Sequence, residues 1–409
     1  MSSHFSHAML SRRHFLSLVG AVATAASGSL LPANGEFRAA DAILAGRPLV
    51  RYPEKTDLIL LTSRPPQLET PMKYFEQAIT PNEAFYVRYH TFPPPTLIDL
   101  ATWRLRLAGL VEHPLELSLD DLKTGFPATR LVAVNQCSGN SRGRSEPRVF
   151  GGQWGDGAMG NAEWTGVRLQ DLLRRAGVKA GAVEVSFQGF DAPAAPTIPH
   201  FAKSLAMNML ADSPDILVAY EMNGQPLPTL NGFPARLVVP GWYSTYWVKH
   251  LAEITVLDHE FDSFWMVKAY RIPASPCGCV EPGVTPARTV PINRMKVRSF
   301  MISPTQDARI PVARPVALKG IAFDGGYGIA GVEFSSNDGS SWKRAVLGKD
   351  LGPYSFREWS ASWTPAQRGN FRLFVRAINR VGESQPFEAA WNPNGYMRNV
   401  IEKIEVTAV

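Results

Sequence analysis

Apolar and polar positions alternate in short bursts along most of this chain, and one stretch repeats with helical spacing. Over residues 167–176, Leu169, Leu172, Leu173 and Ala176 share a face, Thr165 lies near the start and Gly177 supplies a stop, which predicts a helix. Strands are predicted at 84–89, 103–109, 130–134, 182–187, 216–221 and 235–239, with Gly and Pro between them. Residues 52–95 break repeatedly at proline and read as an irregular wrapping segment around the first of these strands. Together they predict an α+β domain over 43–290. Past the proline-rich loop at 271–291 the pattern changes. Short strands are predicted at 316–323, 331–336, 341–347, 371–379 and 401–406, with the turn Asn337-Asp338-Gly339 among them. This spacing predicts a β-sandwich over 291–409.

The first 42 residues stand apart from both domains. Arg12-Arg13 heads a weakly apolar, uncharged stretch to Ala26, and small residues at Ala40-Asp41-Ala42 offer a cleavage site. This is the pattern of a twin-arginine signal, so export to the periplasm is expected. The stretch is diluted by Gly, Ser and Thr and interrupted at Pro32, a poor match to a membrane span, and no second span follows. A route that carries folded proteins suits a cofactor inserted before export.

Composition narrows the function classes. With 45% hydrophobic and 19% charged residues the chain has material for large cores, which excludes a disordered or fibrous protein. Its 42 Lys and Arg against 36 Asp and Glu give a charge of +6, compatible with anionic substrates. No basic run interleaved with aromatics points to nucleic acid.

Gly155-Asp156-Gly157-Ala158-Met159-Gly160 spells GxGxxG, but no apolar strand runs into it and no helix opens at it, so a dinucleotide site is not expected. Cys137 sits where an apolar run breaks into Ser138-Gly139-Asn140-Ser141-Arg142-Gly143. There, backbone N–H groups and Arg142 could favour a thiolate for metal ligation or nucleophilic attack, whereas a buried, inert thiol is the plain alternative. In a Cys–His hydrolase the base would be His90, His200 or His250. Cys277-Gly278-Cys279 lacks the spacing and second pair of a zinc site and reads as a local structural feature. Arg88 and His90 alternate, so on a strand they share a face suited to an oxyanion. Arg236 and Lys249, beside the turns at 223–228 and 231–236, could clamp a phosphate.

Taken together, FYVRYH at 85–90, CSGNSRG at 137–143, QWGDGAMGNAEWTGVRL at 153–169, YEMNGQPLP at 220–228, NGFPARLVVPG at 231–241 and WVKH at 247–250 resemble the sulfite oxidase family of molybdopterin enzymes. FWMVKAYRIP at 264–273 is similar to the exported bacterial sulfite dehydrogenases and the sulfane dehydrogenase subunit. The resemblance implies a molybdopterin-binding domain followed by an immunoglobulin-like dimerisation domain. It implies Cys137 as the thiolate ligand to molybdenum, with Arg88, His90, Arg142, Trp154 and Tyr270 lining a substrate pocket. Tyr86, Arg88, His90, Asp191, Asn231, Arg236, Trp247, Val248 and Lys249 would hold the cofactor, Asn231 standing where animal members have His. The implied activity is oxidation of sulfite to sulfate, with electrons passed to a separate c-type cytochrome. The alternative is oxidation of carrier-bound sulfane sulfur. A homodimer or a heterodimer with a cytochrome subunit is expected. No haem motif is present in this chain, and no counterpart aligns with the further pocket arginine of animal members, Arg357 lying nearby in sequence. The rival outside enzymes is an exported binding protein with Cys137 merely buried.

Overall fold

The computed structural model describes residue 44, residues 46–193, residue 195 and residues 197–409; the predicted export signal lies outside them. The first domain is built on three larger sheets, and the predicted loop at 271–291 begins and ends in a two-stranded antiparallel pair, Arg271–Pro273 with Thr289–Pro291. One orders the strands Ala202–Ala206, Glu184–Gly189, Leu251–Leu257, Leu105–Gly109 and Leu115–Leu117, its third and fourth strands running parallel. A second orders Gln225–Pro226, Leu217–Met222, Met159–Arg168 and Ala128–Gln136, with Arg236–Val238 also paired to Leu217–Met222. The third joins Leu49–Arg51, Asp57–Ser63, Pro66–Glu69 and Val87–Arg88. Residues 52–95 are therefore more ordered than expected. Their prolines lie at the turns and ends of a four-stranded antiparallel sheet rather than breaking its strands.

The predicted helix forms over Leu169–Ala176 and buries Leu169, Leu172, Leu173 and Ala176, with Gly177 at φ 66° as its cap. It starts later than expected, because Val167 and Arg168 end the long strand Met159–Arg168 and Thr165 is paired within it. That strand escapes periodicity because it is buried on both faces, so its apolar positions do not alternate. The predicted strand at 84–89 is shorter, Val87–Arg88, preceded by the 3-10 turn Asn82–Ala84.

The C-terminal part is a sandwich. One sheet orders Arg298–Ser303, Val316–Phe323, Arg357–Trp363 and Val346–Leu347; the other orders Ala308–Ile310, Glu402–Ala408, Gly369–Asn379, Ile329–Ser335 and Lys343–Arg344. The predicted strand at 341–347 is split, its two halves pairing with different sheets across the hairpin. Leu318, Val332, Trp359, Leu373 and Val406 fill the interior. The sandwich does not hang from a linker: Phe300, Phe323 and Phe356 belong to the core of the first domain, and Phe356 meets Phe75 edge to face at 5.7 Å. The two parts thus share buried apolar surface, which favours one cooperative unit.

Candidate active site

The loop after Ala128–Gln136 is built by its own polar residues. Cys137 N–H donates to Ala158 O at 2.9 Å, and Asn140 accepts from Ala158 N–H while its amide donates to Asp156 O. Ser141 takes a left-handed conformation at φ 65° and donates its N–H to Gly155 O. The glycines of the GxGxxG stretch serve this clasp. Gly155 and Gly157 donate backbone N–H to the buried Glu69 carboxylate at 2.9 and 3.0 Å. A Cβ on Gly157 would lie 1.9 Å from Thr70 O, so the close approach requires glycine. Gly160 lies inside the strand Met159–Arg168, and the next helix opens only at Leu169, away from the glycine loop, so it cannot receive a pyrophosphate there.

Asp156 anchors the loop to the sandwich. Burial pushes its pKa up, but Arg144 and Arg298 together with the bonds from Arg144 and Ser141 outweigh that and hold it well below the usual carboxylate range. Arg298, 1% exposed, extends from the sandwich to Ser141 Oγ at 2.6 Å and Glu402 at 2.7 Å.

Cys137, 7% exposed, opens onto a cavity that also receives Tyr86, Arg88, His90, Asp191, Asn231, Arg236, Trp247, Lys249 and Tyr270. Ten of the sequence-predicted residues therefore converge. Arg142, Trp154 and Val248 do not line this cavity. Arg142 is turned toward the seam with the sandwich, donating to Asn394 O at 2.7 Å and Gly152 O at 3.1 Å, its guanidinium 5.0 Å over the Tyr396 ring. Trp154 packs edge-on against Tyr86 at 6.4 Å, and Val248 is buried, its carbonyl accepting from Leu237. Arg357 pairs with Asp350 on the sandwich surface.

The electrostatics identify what the cavity wants. Arg88, Arg236 and Lys249 face one carboxylate, Asp191, which Thr91 Oγ1 holds at 2.9 Å. Burial lowers Arg236 to about 10 and, together with the neighbouring Arg236 charge, drives Lys249 well below its ordinary value. Arg236 donates to Asn231 O and Trp247 O but keeps Nε buried without a partner. Asn135 Nδ2, Ser138 Oγ and Thr245 Oγ1 are likewise buried and unpartnered around the cavity. Uncompensated cations and orphaned donors fit a polyanionic, hydrogen-bonding ligand such as a pterin phosphate. No group of three or more His, Cys, Asp or Glu that could hold a metal ion occurs among the described residues, and Cys137 is the one thiol that faces the cavity.

Burial, with Arg88 and Lys249 adding, drives the His90 pKa well below its ordinary value, and its ring stacks on Phe201 at 4.2 Å. His90 Nε2 and Tyr270 Oη share a hydrogen bond, and burial raises the Tyr270 pKa. His250 is lowered to about 3 by burial; its Nδ1 donates to Phe233 O, which leaves Nε2 to accept from Tyr89 Oη at 2.7 Å. It is a strut rather than a base. No hydrogen bond joins Cys137 to a histidine among the described residues, which argues against the Cys–His hydrolase.

Three residues escaped the sequence reading. Tyr396 stacks on Tyr270 at 5.5 Å and carries Arg142 on its face. The dense turn Asn392-Pro393-Asn394-Gly395 before it was the available signal. Lys203, fully buried, donates to Trp265 O at 2.7 Å beneath the rings of Tyr246 and Tyr270; a lone lysine in an apolar strand marks it. Lys55 bonds Asn231 Oδ1 and Asn82 O, and nothing around it in sequence hints at that reach.

Comparison with known proteins agrees with this geometry. Residues 91–265 match the family model "Oxidoreductase molybdopterin binding domain", and residues 289–409 match "Mo-co oxidoreductase dimerisation domain". The chain is 32% identical to the mitochondrial sulfite oxidase of Rattus norvegicus over 92% of its own length and 70% of the relative's. It is 33% identical to that of Drosophila melanogaster, covering 89% and 66%. It is 31% identical to nitrate reductase [NADH] 1 of Oryza sativa subsp. japonica, over 80% of this chain and 38% of that one. The chain spans about two thirds of the length of the sulfite oxidases it matches. Among solved structures, the sulfane dehydrogenase SoxCD from Paracoccus pantotrophus superposes with TM-score 0.72, at 26% identity and 92% coverage of both chains.

Proposed function

The chain belongs to the sulfite oxidase family of molybdopterin oxidoreductases, and from that premise we propose that it is an exported, periplasmic sulfite dehydrogenase that passes electrons to a separate c-type cytochrome. The observation that carries the reading is a single buried cysteine opening onto a cavity with uncompensated cationic charge. In this reading Cys137 ligates molybdenum, while Tyr86, Asp191, Asn231, Arg236, Trp247 and Lys249 hold the pterin and its phosphate. When bound, the cofactor supplies oxygen-atom transfer and takes up two electrons.

The chain's own residues bind and orient the anion. Arg88 presents a fixed cation in the cavity, which attracts sulfite and retains it against water. Tyr270 keeps its proton at neutral pH and His90 stays uncharged, so the pair offers hydrogen bonds without adding charge to the pocket. Arg142 is held over Tyr396 from behind, where it contributes positive potential and fixes the Cys137 loop. The test is sulfite-dependent reduction of ferricyanide by the molybdenum-loaded protein beside its Cys137→Ser variant. Turnover should vanish in the variant. Absence of turnover in the fully loaded parent protein would remove free sulfite as substrate.

The likeness to SoxCD favours a second reading, oxidation of carrier-bound sulfane sulfur at the same centre. It expects inactivity on free sulfite and turnover with a persulfide on a carrier peptide.

A further inference from the structure

A second cleft, of about 740 Å³, lies between the loop after strand Arg271–Pro273 and the C-terminal segment. Cys277 and Cys279 face it as a disulfide. Around them Glu146, Glu281, Glu383 and Glu388, all exposed, oppose one cation, Lys296. We infer that this pair is a thiol–disulfide exchange site selective for cationic thiols, separate from the chemistry at Cys137.

Access and geometry carry the inference. Cys277 is exposed and Cys279 half-buried, so an attacking thiolate reaches Cys277 first. Gly278 turns the tripeptide at φ 67°, and its N–H donates to Ser275 O at 2.9 Å. A Cβ on Gly278 would lie 2.9 Å from Ile272 Cδ1, so the turn is seated on the preceding strand. Val280 N–H donates to Trp391 O, and Lys296 Nζ donates to Cys277 O at 3.0 Å. The two sulfurs therefore stay neighbours when the bond opens. Cys279 N–H is shared between Ser275 Oγ at 3.1 Å and Cys277 Sγ at 3.2 Å, a donor already within reach of the thiolate that Cys277 becomes.

The reaction balances with the thiol as reductant. A thiolate RS⁻ bonds to Cys277 Sγ, the Cys277–Cys279 bond breaks, and Cys279 leaves as thiolate and takes a proton from water. A second RS⁻ bonds to the sulfur of R, Cys277 leaves as thiolate under the Cys279 N–H, and RSSR departs. Two thiols are oxidised by two electrons and the pair becomes a dithiol.

The chain's overall charge of +6 would favour an anionic thiol, so preference for a cationic one reports the local cleft. The holoenzyme is treated with cysteamine and with 2-mercaptoethanesulfonate. Reduction of Cys277 and Cys279 is followed by alkylation and mass spectrometry. Rates are divided by those on a neutral Cys-Gly-Cys peptide disulfide. Cysteamine should lead by about tenfold at low ionic strength and lose the lead in high salt. The Glu281→Gln/Glu388→Gln variant should also lose it, while Cys279→Ser should leave Cys277 as a free thiol that captures cystamine. A pair that resists both thiols, or equal normalised rates at low salt, would overturn the inference.

Discussion

Replacing Tyr396 by leucine tests how the sandwich serves the pocket. In the native protein this ring stacks on Tyr270 at 5.5 Å with an interplanar angle of 20°, and the Arg142 guanidinium lies 5.0 Å from its centroid. A half-buried cation–π contact is worth about 1 kcal/mol and an aromatic pair about 1 kcal/mol beyond burial. Arg142 keeps its bonds to Asn394 O and Gly152 O in the variant, so the two ring contacts are lost along with the bond between the Tyr396 hydroxyl and the Tyr270 backbone, which Tyr396→Phe removes by itself. If both serve substrate positioning, about 2 kcal/mol corresponds to a fall of about 30-fold in kcat/KM, carried mainly by KM. Steady-state sulfite kinetics with ferricyanide on preparations matched for molybdenum content measure it. Tyr396→Phe, which keeps the ring, should remain within a few-fold of the native enzyme. Unchanged kinetics in Tyr396→Leu, or equal losses in both variants, would refute the reasoning.

Arg298→Leu should lower stability in urea by about 3 kcal/mol, because it strips a buried charge from Glu402 and Asp156; a change below about 1 kcal/mol would show that Arg144 and Arg398 compensate. Arg236→Lys should lose most bound molybdenum and pterin, measured by elemental analysis and pterin fluorescence, since an ammonium cannot span Asn231 O, Trp247 O and a phosphate together. Full cofactor retention would remove Arg236 from the binding set. Lys203 titrates at about 7 in the fold against 10.5 for the free side chain. Between those values the unfolded chain holds the extra proton, so stability rises with pH, by up to about 5 kcal/mol for this group. Lys203→Met should flatten that rise in denaturation curves at pH 7 to 10, leaving the similar contribution of Lys55. An unchanged slope would contradict it.

What could be read from sequence follows from which interactions are local. The helical face at Leu169–Ala176 and the turn around Asp338 are encoded by neighbours within a few residues, and both formed. The strand Met159–Arg168 carries buried side chains on both faces and contains two glycines, so neither alternation nor propensity marks it. The convergence of Arg88, Cys137, Arg236 and Lys249 was legible through the resemblance to the sulfite oxidase family, since each residue in its own stretch suggests an anion or metal contact but not a shared cavity. The orientation of Arg142 was not. It is decided by the carbonyl of Asn394, 252 positions away, and by a ring that no short-range pattern connects to it. Lys55, in the loop between two strands, and Lys203, near the start of a strand, are similar cases, since a lysine in either place is ordinarily solvated and only the tertiary burial makes these two exceptional.

The path of residues 391–398 bears on the order in which the protein can be made. Trp391 Nε1 donates to Pro147 O, Asn394 O receives Arg142, and Met397 N–H donates to Ser138 O beside Cys137. These residues leave the ribosome after every other part of the pocket. Until they do, Ser138 O lacks its donor and Arg142 lacks the carbonyl that holds it. A nascent chain stalled before Trp391 would hold Cys137 without these three bonds. The strands of the sheets can pair before that turn is made, but the loop at Cys137 is fastened only after it.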